Sequence, residues 1–320
     1  MRAQVVVVLV ALALAVVGCG SSAAPVSVSV DPINPRPAGA TEVTAAPAAG
    51  NTDCDPQASL RPGPLPPPGN MPAGSTMAMI ADRGRLIVGV DQNTYLFGFR
   101  NPNTGELEGF DIDIAREIAR AIFGDPDRIQ LRVVDASQRE SMLQSGKVDL
   151  VVRTYSITCA RKEHVEFSTV YFNANQKVLA VKGSGIDSFQ ALSGKRVCAV
   201  AGTTSLARLF ELTPPPHVVS TVTWTDCLLM LQQGQVDAIS TDDVVLKGLA
   251  HQDPNLEVVG DSVAVEPYGI GVNLHNTDLV RFVNGVLDKI RNDGTWERLY
   301  QARLNELGPS PGPPQPRYRD

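Results

Sequence analysis

The sequence predicts an α/β protein of two similarly built lobes with one cleft between them. Three observations carry this expectation. A segment recurs along the chain, apolar strand patterns alternate with amphipathic helices, and polar clusters follow the strand ends. The recurrence is Met142-Leu143-Gln144-Ser145-Gly146-Lys147-Val148-Asp149, echoed by Met230-Leu231-Gln232-Gln233-Gly234-Gln235-Val236-Asp237. In each copy a helical pattern ends at a glycine suited to a C-cap, and a β-rich strand begins. A second pair stands in the same order. Gly84-Arg85-Leu86-Ile87-Val88-Gly89-Val90-Asp91 matches Gly194-Lys195-Arg196-Val197-Cys198-Ala199-Val200-Ala201 as a basic-flanked apolar strand.

The chain of 320 residues opens with Met1 and Arg2, then runs almost wholly apolar from Ala3 to Val17. That run is short for a spanning helix and right for a secretory leader. It ends in Val16-Val17-Gly18-Cys19, which resembles a bacterial lipobox. Residues 1–18 therefore read as a lipoprotein signal peptide and Cys19 as the lipidated residue. Residues 19–76, rich in Ala, Pro, Ser, Val and Gly, are expected to form a disordered, lipid-anchored spacer of roughly 40 Å r.m.s. reach. A Pro-rich tail is expected at 308–320. Between them lie lobe 1 (77–175 and 268–307) and lobe 2 (176–267).

A formal charge of −6 excludes a nucleic-acid binder that needs a dense basic face. With Cys19 set aside, Cys54, Cys159, Cys198 and Cys227 remain. An even count in an exported protein suggests two disulfides, with three connectivities open. There is no CxxC spacing, and His164, His217, His251 and His275 are scattered, so no metal site is expected.

Helical patterns cover Ile112–Phe123, Arg139–Gln144, Leu206–Leu212 and Asp226–Gln232. Ligands of open α/β sheets sit beyond the carboxyl ends of strands. Four such ends converge: Asp91, Thr154 with Ser156, Gly202-Thr203-Thr204, and Thr241-Asp242. They include no nucleophile with a histidine base and no phosphate-binding glycine-lysine loop. No enzyme activity and no cofactor are expected. Exposed N–H groups at the helix start after Gly202 attract an anion, although Thr204 or Ser205 could serve only as a cap. Arg161 across the cleft suits a carboxylate, while Asp242, helped by Thr154 and Ser156, suits an ammonium. Together they match an α-amino acid.

Gly109-Phe110-Asp111-Ile112-Asp113-Ile114-Ala115 resembles the GFDVDLA signature of family 3 of the extracellular solute-binding proteins. The resemblance continues through Val148-Asp149-Leu150, Thr154, Ile157-Thr158, Arg161-Lys162, Phe167-Ser168 and Tyr171. It extends to Gly202-Thr203-Thr204-Ser205, Val236-Asp237-Ala238, Tyr268-Gly269-Ile270 and Arg291-Asn292-Asp293-Gly294-Thr295-Trp296. It points to polar amino-acid binding lipoproteins of actinobacterial type. It implies a periplasmic-binding-protein-like type II fold, with a two-strand hinge expected near Asn173–Gln176 and Val265–Tyr268.

Carried to matching positions, the resemblance makes Arg161 and the Thr204 backbone, with Thr203 beside it, the α-carboxylate site. Asp242, Thr154 and Ser156 hold the α-amino group, and Asp91 reads the side chain. Arg139 stands where acidic-amino-acid binders place an arginine on the ligand's side-chain carboxylate. Strand alternation puts Arg153 on the face opposite Thr154. The implied ligand is aspartate or glutamate, with glutamine or asparagine as alternatives. Delivery to a membrane permease and ATPase is the first reading for the monomeric, lipid-anchored protein on the outer face of the cell membrane. Presentation to a membrane sensor is the second, and a dehydratase or lyase on the same scaffold the third. Cys198 on the first lobe-2 strand and Cys227 at a lobe-2 helix start are expected to pair, leaving Cys54 with Cys159.

Overall fold

Two sheets organise the chain. The computed structural model describes residues 35–48 and 50–320. The first sheet orders its strands Ile129–Val133, Leu86–Val90, Leu150–Val151, Gly271–Asn273, Val165–Phe167. The second orders Thr41–Val43, His217–Thr221, Arg196–Val200, Ala238–Asp242, Phe172–Val181, Leu256–Tyr268. In each, three neighbouring strands run parallel, Ile129–Val133, Leu86–Val90 and Leu150–Val151 in the first and His217–Thr221, Arg196–Val200 and Ala238–Asp242 in the second, so their ends lie on one side.

The last two strands of the second sheet are long and antiparallel, registered from Phe172↔Tyr268 to Val181↔Leu256. Their near ends reach the first lobe. Ile157 N–H donates to Pro267 O, and Tyr171 N–H to Tyr268 O. Two strands thus cross between the lobes. The segments expected to act as hinge lie opposite each other, with Asn173 facing Pro267 and Gln176 facing Ala264.

Local chemistry explains the helices. Phe110–Phe123 buries Ile112, Ile114, Ala115, Ile118, Ala119 and Ile122 on a helical repeat, and Gly124 ends it at φ +77°. Each buried isoleucine contributes roughly 1.5–3 kcal/mol. Trp224–Gln232 starts with a capping box between Thr223 and Asp226.

The repeated segment has a common structural use. Asp149 accepts from Ile87 N–H at 2.8 Å and pairs with Arg83. Asp237 accepts from Arg196 N–H at 2.8 Å and pairs with the Arg196 guanidinium. In both lobes the aspartate after the helix thus clamps the opening strand. Cys198 and Cys227 are bridged in the second lobe, with Cα atoms 5.5 Å apart and a sequence separation of 29. A loop of that size contributes about 3 kcal/mol in the chain-entropy picture. Cys54 is bridged to Cys159.

The leader and tail differ from the expected disordered spacer and tail. Thr41–Val43 pairs with Val218–Ser220. Ala58–Ser59 pairs in parallel with Arg317–Tyr318. Ser59 donates to Phe167 O at 2.7 Å, Tyr318 to Asp288 at 2.6 Å, and Arg319 pairs with Glu166 at 2.7 Å. These segments are too poor in apolar residues to fold alone. Their order comes from hydrogen-bond partners that the body supplies, and composition does not report those. The expected signal peptide, the expected lipidation site Cys19 and the spacer up to residue 34 lie outside the described residues. Among the described residues, no helix is long and apolar enough to cross a membrane.

Candidate functional site

The strand ends enclose a narrow, tightly closed pocket between the lobes. Arg139, Arg153, Thr154, Ser156 and Arg161 line it from the first lobe. Thr203, Thr204, Ser205, Trp224, Thr241 and Asp242 line it from the second. The structure brings seven of the eight expected residues together and leaves Asp91 off the wall.

Arg161 is placed by a one-turn helix, Cys159–Lys162, capped by the Thr158 hydroxyl on Arg161 N–H at 3.2 Å. Its guanidinium donates to Ser156 O at 2.5 Å and to Gly202 O at 3.0 Å. Three of its five N–H donors remain for a carboxylate. Arg139 is more committed. It donates to Ala136 O at 2.8 Å, Gly202 O at 3.0 Å and Arg153 O at 3.5 Å. Both guanidiniums lie over the Tyr155 ring, at 4.1 Å for Arg139 and 4.9 Å for Arg161. Burial, then the nearby Arg161 charge, lowers the Arg139 pKa. Among the described residues Arg139 donates to carbonyl oxygens and forms no ion pair with a carboxylate.

Asp242 ends the strand Ala238–Asp242 and is 6% exposed. One carboxyl oxygen accepts from the Tyr268 hydroxyl. The other is buried with no partner. Although Asp242 stands at the N-cap of Asp243–Ala250, its side chain makes no capping bond. Burial, then the neighbouring Glu266, holds its carboxyl well above the usual range. An ammonium placed here would offset both effects and favour the ionised form.

Three expectations need correction. Asp91, expected to read the ligand's side chain, lies off the pocket wall. It is buried and accepts from Gln92 N–H at 2.8 Å, Asn93 N–H at 3.2 Å and the Thr94 hydroxyl at 2.6 Å, with Arg153 at 3.1 Å. The turn after the strand folds its own N–H groups onto it. Arg153 is on the pocket wall, not the opposite face. The strand ends at Val151, and Thr154 adopts φ +38°, so alternation no longer applies. The Thr203 side chain caps its helix, donating to Val200 O at 2.7 Å and accepting from Leu206 N–H at 3.2 Å. The Thr204 hydroxyl is also used, on Glu266 at 2.8 Å.

The residue that holds Thr154 is Asp111, from the GFDID stretch. Its carboxylate accepts from Thr154 N–H at 2.9 Å and from the Tyr171 hydroxyl at 2.6 Å. Full burial pushes its pKa up to about 6 from 3.8. The folded carboxyl thus binds its proton more tightly than the unfolded one. Its contribution to stability is present below pH 4 and lost as pH rises toward 6, by about 3 kcal/mol in all. Asp111→Asn keeps an acceptor for Thr154 and does not titrate. The stability of wild type relative to this variant is expected to fall between pH 4 and 6.5. Urea midpoints at four pH values check this, and a constant difference would rule it out.

Sequence reasoning passed over Trp224, Tyr155 and the positioning role of Asp111. Trp224 carried a readable signal, since Thr223 and Asp226 mark a helix start just past a strand end. Tyr155 carried none, because an aromatic residue after a strand is as readily core.

The lobes are closed on this pocket. Arg139 and Arg161 both donate to Gly202 O in the second lobe. Tyr95 stacks on His251 at 5.2 Å, and Lys247 donates to Leu307 O at 2.9 Å. Two α/β lobes, a two-strand crossing and a charged interlobe pocket define a solute-binding protein. The chain belongs to the bacterial extracellular solute-binding proteins, family 3, whose family model matches residues 86–305. This is a family of binding proteins, not of enzymes.

Among its relatives, the ABC transporter glutamine-binding protein GlnH of Bacillus subtilis is 40% identical over 232 residues, covering 72% of this chain and 85% of that protein. The glutamate-binding protein GluB of Corynebacterium efficiens is 28% identical over 252 residues, covering 74% and 85%. The L-cysteine solute receptor of Neisseria gonorrhoeae superposes with a TM-score of 0.70 at 28% identity, covering 74% of this chain and 98% of that one. An ancestral arginine-binding protein bound to glutamine gives 0.65 at 33% identity, covering 69% and 98%. The fold is periplasmic-binding-protein-like type II, and the family places the protein outside the cytoplasm.

Proposed function

We propose that the protein binds one polar L-amino acid in the interlobe pocket, favouring aspartate or glutamate, and delivers it to an ABC-type permease. The observation that carries this reading is the charge pattern of the wall. Three arginines line it against one aspartate, whose free oxygen is buried without a partner. The α-carboxylate goes to Arg161 and the Thr204 backbone N–H. The ammonium goes to Asp242, with Thr154 and Ser156 beside it. Arg153 is balanced by Asp91, and Arg161 and Asp242 serve the α-groups. The Arg139 charge is then left for an acidic side chain.

Relatives named for glutamine and for glutamate support a ligand of this size and polarity. Lipidation at Cys19 would hold the monomer on the outer face of the membrane, within reach of its permease. Calorimetric titration with the twenty amino acids tests the reading. Aspartate and glutamate are expected at micromolar Kd, about 8 kcal/mol, ahead of glutamine and asparagine. A preference for glutamine would remove the acidic assignment. No binding at all would remove the amino-acid reading.

A further inference from the structure

Arg153 is only 3% exposed, yet its Nε has no hydrogen-bond partner. Among the three arginines of the pocket it is the one with such an orphaned donor. Leaving a buried charged donor unmade is costly unless something else completes it. Its other end is fixed by the ion pair to Asp91 at 3.1 Å. Asp91 is itself held by two backbone N–H groups and the Thr94 hydroxyl. The guanidinium is therefore tethered at one end and unfilled at the other, on the wall of a ligand pocket. Arg139 differs in kind, with donors spent on three carbonyls and its face on Tyr155.

We infer that Arg153 is the residue that reads the ligand's side chain, donating to its terminal carboxylate, and that Asp91 is its positioning residue. This rests on the amino-acid reading of the pocket and deepens it. Arg139 supplies long-range positive charge, and Arg153 supplies the directional contact. Arg153 lies beyond the end of its strand at Val151, so strand alternation does not turn it away from the pocket. Asp91 also keeps the guanidinium oriented when no ligand is present, so it can be met without rearrangement.

The experiment is a titration of wild type, Arg153→Ala, Asp91→Asn and the double variant with aspartate, asparagine, glutamate and glutamine, with thermal melts confirming that each variant folds. The readout is the acid-to-amide ratio of affinities, which a merely structural role would not move. Wild type is expected to favour each acid. Arg153→Ala should lower the ratio tenfold or more, because a carboxylate loses a charged donor where an amide loses a weaker one. Asp91→Asn should lower it less, and should add nothing further in the Arg153→Ala background. A ratio within twofold of wild type in Arg153→Ala, including equal losses for acid and amide, overturns the inference while the amino-acid reading stands. A further drop when Asp91→Asn is added to Arg153→Ala overturns the positioning role. Wild type that binds none of the four overturns both.

Discussion

Arg161→Ala is expected to abolish binding of every amino acid instead of altering the choice among them. The α-carboxylate is common to all of them, and Arg161 offers it three unspent N–H donors at the closed interface. Truncating one partner of a buried, hydrogen-bonded charge pair costs about 2–5 kcal/mol. For a micromolar complex worth about 8 kcal/mol, that moves Kd toward the millimolar range. The variant also releases Ser156 O and one of two donors to Gly202 O, so lobe closure weakens in parallel. Titration to millimolar ligand, with a melt as folding control, checks the outcome. A loss confined to aspartate and glutamate would move Arg161 from the backbone of the ligand to its side chain.

The second large effect is expected from Gly202→Ala. Gly202 has φ +75°, and a Cβ built on it would lie 2.7 Å from Ser137 Cα in the other lobe. The backbone conformation alone costs an alanine roughly 1–2 kcal/mol. The contact is with main chain, which has no rotamer to yield, so the lobes must stay apart. Arg139 and Arg161 would then lose their shared acceptor, Gly202 O. A ligand that needs Arg161 from one lobe and Asp242 from the other binds tightly only when the two meet. The expected result is a loss of affinity of about a hundredfold for all ligands. Solution scattering on adding saturating aspartate should show compaction in wild type and none in the variant. Normal affinity and normal compaction in Gly202→Ala would show that closure does not require contact at this point.

Much of the architecture could be read from short-range patterns. The MLQxGxVD echo was legible because it encodes a local event repeated in each lobe, a helix end followed by an aspartate that grips the first strand. Strand ends were legible for the same reason, and seven of the eight residues expected at the cleft line one pocket. Arg153 and Asp91 exchanged places relative to expectation. For Asp91 the turn after its strand folds N–H groups onto the carboxylate, and for Arg153 the strand stops at Val151 before Thr154, which takes a positive φ and donates its N–H to Asp111 from over forty positions away. Period-two reasoning has no access to such a bond. The ordered leader and tail were illegible for a related reason. Their proline-rich composition correctly says that they cannot fold alone, and says nothing of Arg317–Tyr318 finding Ala58–Ser59 across the whole chain.

The three-residue strand Thr41–Val43 has a consequence for association between molecules. Without it, His217–Thr221 would be the outer strand of a mixed sheet, offering unpaired N–H and C=O groups to any other extended chain. Such an edge is a template for strand-by-strand aggregation. Thr41–Val43 occupies Val218–Ser220, with the Thr41 and Ser220 hydroxyls 3.0 Å apart. The new edge is short and carries the charge of Glu42, and Gly39, at φ +80°, sits where a Cβ would meet Val222. Thr41–Val43 thus closes a sticky edge of the second sheet against other extended chains.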